Sequence, residues 1–203
     1  MNARCLARGL FLAALCALAG CAGLTEPTPD PTRFYVLEAR EETPSPRQTG
    51  SANGEAWDTY ALALRTVTIP GRIDRNEMLM RREGNEVTYA PFHRWAEPLA
   101  GSIERVLRQN LHARLPGARP PARGETPLAR LSVDIQTFEA LADVLILEAH
   151  ALGQPWRYEV PLAAGGSRAA RAEAIAAAMS EALAQLSGDL ADQLRQKLRE
   201  SDR

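Results

Sequence analysis

Three histidines, a set of acidic residues in β-prone stretches and three cysteines are the side chains of this sequence whose types could do chemistry. His93, His112 and His150 form no pair at a metal-binding spacing such as His-Glu-x-x-His, and a general base needs an oriented partner. His112 falls on the polar side of a helical stripe. His150 falls in an apolar run, which predicts a satisfied core residue rather than a ligand. Asp134, Glu139, Asp143 and Glu148 could be imagined as paired carboxylates, but strand alternation places them on a solvent face. The sequence contains no Gly-x-Ser-x-Gly elbow, phosphate loop or dinucleotide fingerprint. It therefore predicts no catalytic residue, no metal, no cofactor and no enzyme.

Cysteine chemistry is of another kind. Arg4 and Arg8 precede the apolar run Gly9 to Leu18, and Ala19 and Gly20 are small. That order is the pattern of a secretory signal, which is removed and excluded from fold reasoning. The junction Leu18-Ala19-Gly20-Cys21 resembles a bacterial lipobox. The resemblance implies diacylglycerol on the Cys21 thiol, cleavage before it and acylation of the new amine. Several acyl chains on one residue hold a protein stably to a bilayer, at about 0.8 kcal/mol per buried methylene. Cys5 and Cys16 would leave with the signal, so the mature domain would carry no free thiol, disulfide or cysteine metal ligand. Ala22, rather than aspartate, follows Cys21. By resemblance to enterobacterial sorting rules this implies the outer membrane, at its periplasmic face.

Composition agrees with a globular domain. The chain has 203 residues, 45% hydrophobic and 24% charged, with a net charge of −1. Loss of Arg4 and Arg8 takes lysine plus arginine from 24 to 22 against 25 acids, a net charge of −3. Such a balance argues against nucleic acid as a partner. Beyond the signal, no apolar run approaches the roughly 18 residues of a spanning helix.

These residues need elements to position them. Residues 1–20 read as signal, 21–32 as lipidated cysteine and tether, and 33–203 as one α+β domain. Pro27, Pro29 and Pro31 predict an extended tether, reaching some 30 Å at about 3.1 Å per residue. Phe34 to Glu38 is β-prone, and residues 41–55 read as a loop. Tyr60 to Ile69 predicts a strand whose apolar phase switches near Arg65-Thr66, by a bulge or by burial on both faces. Met78 to Arg81 and Val87 to Tyr89 predict a hairpin around Gly84-Asn85. Pro98 to Leu115 carries a helical stripe through Leu99, Ile103, Val106, Leu107 and Leu111, with Pro98 in the first turn. Three strands follow, close enough in sequence for an antiparallel meander, with Val144 to Leu152 central. Ser167 is a candidate N-cap for a long helix reaching about Arg199, which Gly188 could bend. The expectation is an antiparallel sheet with two main helices packed on it.

One segment is richer than its surroundings. Asp74 and Arg75 can pair or cap at a strand edge. Arg94, Trp95, Glu97 and Pro98 sit at a helix N-terminus, where Glu97 can serve the dipole and Trp95 can anchor the hairpin. A structural role and an interaction surface are both open to them. The order of features resembles PqiC-type lipoproteins, also called ABC-transport auxiliary lipoproteins. The resemblance is carried by Cys21, Phe34-Tyr35-Val36-Leu37, Ile69-Pro70, Ile73-Asp74-Arg75, Arg94-Trp95-Ala96-Glu97-Pro98-Leu99, Ile103, Val106-Leu107 and Asn110-Leu111. Gly71-Arg72-Ile73 departs from the aromatic or leucine usual before Asp-Arg.

The resemblance implies an accessory of MCE-domain (PqiB-like) proteins, which form periplasmic conduits for lipids or other hydrophobic molecules. The expected role is a non-catalytic docking subunit, acting singly or as a homo-oligomer. A second reading is a carrier that holds a lipid between the sheet and the long helix. A third, an envelope hydrolase, has no nucleophile–base pair in the sequence.

Overall fold

The structure, a computed structural model, describes residues 29–40, 60–81, 84–115, 117–163 and 166–201. Eight strands and two helices are described: β1 (Arg33–Tyr35), β2 (Tyr60–Thr68), β3 (Glu77–Arg81), β4 (Val87–Trp95), α1 (Leu99–Arg114), β5 (Ala118–Arg119), β6 (Ala129–Leu141), β7 (Val144–Ala151), β8 (Gln154–Pro161) and α2 (Arg168–Ser201). They build an α+β unit spanning Thr32–Arg203. A five-stranded sheet has the order β5-β2-β6-β7-β8, and a three-stranded sheet the order β1-β4-β3.

The sheets are mixed rather than purely antiparallel. The β6-β7-β8 meander and the β3-β4 hairpin are antiparallel. β2 runs parallel to both β5 and β6, and β1 parallel to β4. A parallel pair needs a long crossover. Between β2 and β6 the chain makes the hairpin, α1 and β5, so the whole middle of the molecule is one crossover. Side-chain periodicity is the same in parallel and antiparallel strands, which is why the direction was not in the pattern.

The phase switch in β2 is a bulge: pairing with β6 shifts between Leu64 and Thr66, leaving Arg65 out of register. Meander turns are two residues each, Ala142-Asp143 and Leu152-Gly153. Leu152 and Gly153 both have positive φ, 55° and 85°, as a type I′ turn requires.

The core lies between the five-stranded sheet and the helices. Leu131, Val133 and Ile135 of β6 and Leu145, Leu147 and Ala149 of β7 point inward. Against them α2 buries Ile175, Met179, Leu183, Leu186, Leu190 and Leu194, with Ala172, Ala178, Ala182 and Ala191 beside them. These alanines widen the buried stripe because α2 packs on the sheet and on α1 at once. Ser167 caps it, its Oγ accepting from the Ala170 N–H at 3.1 Å. Gly188 does not break α2; the Arg114 guanidinium lies across it, 3.5 Å from where a Cβ would sit. No described helix is long and apolar enough to cross a membrane.

After β1 the chain is clamped between the helices. Leu37 is buried, and its carbonyl accepts from Arg105 Nη2 of α1 at 3.0 Å. The Glu38 N–H donates to Ser180 Oγ of α2 at 3.1 Å, and Arg40 pairs with Glu181 at 2.7 Å. This segment ties the three-stranded sheet to the helical layer.

Candidate functional site

The Arg94-to-Leu99 stretch is where β4 becomes α1. Trp95 is 5% exposed, and its N–H donates to the Asn76 carbonyl at 2.7 Å. The Ala96 N–H donates to the Tyr35 carbonyl at 2.8 Å. Pro98 is the N-cap rather than a first-turn residue, and its carbonyl accepts the first helical bond, from Ser102 N–H at 3.0 Å. Lacking an N–H and fixed in φ, proline suits this boundary. Glu97 accepts from Arg105 at 2.5 Å, and the same guanidinium reaches Leu37. Hydrogen bonds from Arg105 and Ser102 hold the Glu97 carboxyl below the usual carboxylate range. Glu97 thus joins the start of α1 to the strand segment beyond β1.

Arg94 faces outward, its Nε donating to the Pro91 carbonyl at 3.2 Å and its guanidinium 3.4 Å from Glu77. Arg75 lies over the Tyr89 ring, 4.6 Å from the centroid, while Asp74 is exposed. The motif therefore does not converge on one point. Trp95, Glu97 and Pro98 build a joint, Arg94 lies on the outer face of the small sheet, and Asp74 and Arg75 mark the turn before β3. Cys21 lies outside the described residues.

Two sequence readings are corrected. Glu139 is buried, 4% exposed, and not on a solvent face. Pairing of β6 shifts between Ile135 and Thr137, and beyond it the 72–81 segment covers Glu139, which pairs with both Arg72 and Arg81. His150 is exposed rather than in the core: in β7 alternate residues Leu145, Leu147, Ala149 and Ala151 point inward, and His150 faces out opposite Asp134. The other strand histidine, His93, is the buried one, with Tyr35 Oη 2.9 Å from its Nδ1. Among the described residues no three His, Cys, Asp or Glu side chains gather as a metal site.

A concavity with an apolar lining lies elsewhere. A groove of about 710 Å³ runs between β2 and α1, floored by Leu62, Leu64 and Leu111 and walled by Pro120 and Pro121. Arg65, Arg108 and Arg119 rim it. Arg119 is held by Glu125 through two bonds of 2.7 and 2.6 Å, and Arg108 by Glu104. That doubly bonded arginine, together with the Ala122 N–H, lowers the Glu125 carboxyl to about 2. Arg65 owes its place on the rim to the β2 bulge. The apolar phase switch at Arg65-Thr66 was the one sequence signal pointing here. Between the sheet and α2, by contrast, Ala182, Leu183 and Leu186 are fully buried.

Comparison with known proteins adds the following. The model of a family described as ABC-type transport auxiliary lipoprotein component matches residues 35–191. Among solved structures, one of an uncharacterized protein is 18% identical with a TM-score of 0.60, covering 80% of this chain and 98% of its own. Another, a Xanthomonas campestris protein of the DUF330 family, is 19% identical with a TM-score of 0.58, covering 83% of this chain and 99% of its own. At those identities the likeness concerns the fold. No curated protein matches the chain.

Proposed function

Since the chain belongs to the family of ABC-type transport auxiliary lipoprotein components, we propose that it is a non-catalytic docking subunit, held by lipid on Cys21 to the periplasmic face of the outer membrane. Its partner would be an MCE-domain protein of the transport system, carrying lipids or other hydrophobic molecules between the two membranes. The observation that carries this reading is the open groove between β2 and α1. An apolar floor with the exposed Arg65 on its rim suits a partner segment that brings apolar side chains and an acidic one. The buried joint at Trp95 holds α1, one wall of the groove, against the strands.

The test is co-purification at native expression with an MCE-domain protein of the same cell. The unaltered chain should retain that protein, and Leu64→Asp or Arg65→Glu should reduce recovery about tenfold or more with melting nearly unchanged. Both residues are only partly buried or exposed, so their loss bears on contact more than on folding. Equal recovery with both variants would remove the groove from the interface, and repeated absence of the partner would count against docking itself.

A second reading has the same groove as its support. Its volume lies within the roughly 300–1,000 Å³ of ligand pockets. A lipid chain would then lie beside α1 rather than under α2. Native mass spectrometry of the purified protein should show bound lipid if the chain is a carrier, and its absence would dispose of that reading.

A further inference from the structure

The outer face of the three-stranded sheet is unusual in what it leaves uncovered. Phe34 is 65% exposed, Phe92 49% and Val36 48%. The register of β1 on β4 pairs Phe34 with Arg94 and Tyr35 with Trp95. Tyr35, His93 and Trp95 therefore share the inward face, and Phe34, Phe92 and Arg94 share the outward one. Arg33, paired with His93, falls on the inward side, and Arg94 is the cation that shares the outward side with the two rings.

Position in the chain decides what covers it. The tether enters the domain at β1, one residue before Phe34. Eleven residues lie between Cys21 and Arg33, and the twelve steps span about 37 Å as an extended proline-rich chain at about 3.1 Å per residue. A domain on so short a lead meets the bilayer at a high effective concentration, so a weak contact suffices. Three apolar side chains fall well short of the roughly 20–30 residues a stable protein interface uses on each side. They do match interfacial lipid binding, where aromatic rings enter the headgroup boundary and arginines meet anionic phosphates.

We propose that Phe34, Val36 and Phe92, with Arg94 beside them, form a membrane-resting face that lays the domain on the lipid surface carrying its anchor. The proposal rests on the reading of Cys21 as lipidated. It assigns the tether a second role: the tether sets the farthest reach, and the patch sets the resting orientation.

The mature chain would have no free thiol, so a cysteine introduced at one position gives a single labelling site. Full-length lipidated protein carrying Phe34→Cys, Phe92→Cys or Leu128→Cys is labelled with a nitrobenzoxadiazole dye. It is then reconstituted into vesicles of phosphatidylethanolamine and phosphatidylglycerol containing a spin-labelled quencher lipid. Leu128 is the control, being equally apolar and 62% exposed at the entry to β6. Flotation with the vesicles reports the anchor, and quenching reports the face. Quenching at positions 34 and 92 should exceed that at 128 severalfold. Flotation with equal quenching at all three positions overturns the resting face and leaves the anchor standing. Failure to float overturns the anchor and the face together.

Discussion

Trp95 does in this fold what a large ring at a strand-to-helix junction does best: it fills the angle between them. Its burial, with the backbone bond to Asn76, moves it from the class of contact residues to that of structural ones. Trp95→Ala should cost about 3–5 kcal/mol in chemical denaturation. Unchanged stability with lost partner binding would return the ring to the interface. His93 makes a second residue-scale prediction. Burial, first, and then the charges of Arg33 and Arg168 lower its basicity below the ordinary 6.5. Tyr35 Oη faces its Nδ1, and Glu173 acts on Tyr35 from α2. A histidine depressed in the folded state contributes stability above its unfolded value, and that stability is lost as pH falls toward the folded one. Denaturation midpoints should therefore drop between pH 7.5 and 5, and the drop should shrink in His93→Gln. A variant with the same pH slope as the parent would acquit His93. Below about pH 4.5, Glu97 and Glu125 follow the same sign, both being depressed by their arginine partners.

At the scale of elements, the meander turns give a clean test. Ala142 holds φ 53° without being glycine, a conformation that costs an L-residue roughly 1–2 kcal/mol. Ala142→Gly should raise stability by about 0.5–1 kcal/mol after the flexibility it adds to the unfolded chain. Gly153→Ala should lower it by a similar amount, since Gly153 has φ 85°. Melting temperatures moving the other way would contradict a stability cost set by positive φ at these two turns. Elements with strong periodicity were readable from the sequence: α1 within one residue at each end, and α2 with its Ser167 cap; the β2 phase switch left a bulge and two-faced burial both open, and pairing with β6 makes it a bulge. What escaped was long-range. Strand direction leaves no trace in side-chain alternation, and nothing local at Glu139 announces that Arg72 and Arg81 will fold over it. His150 misled because Val144 and Ile146, half-buried on the outer face of β7, made a one-faced strand read as apolar throughout.

At the scale of the molecule, the α+β unit carries two differently dressed surfaces. The groove at β2 and α1 is apolar with Arg65 on its rim, and the small sheet carries an aromatic patch where the tether enters. The candidate site was only half visible beforehand. The resemblance motif led to the joint that holds α1 in place, while the groove itself is assembled from β2, α1 and the Pro120-Pro121 loop, which no single stretch of sequence brings together. A docking surface of this kind is useful only if the domain is kept where its partner can reach it. Labelling growing cells with radioactive palmitate and fractionating their membranes measures that directly. Label should enter the unaltered chain and travel with the outer membrane, while Cys21→Ser should be unlabelled, soluble in the periplasm and equally stable. An unlabelled wild-type chain, or one found in the cytosol, would contradict the account.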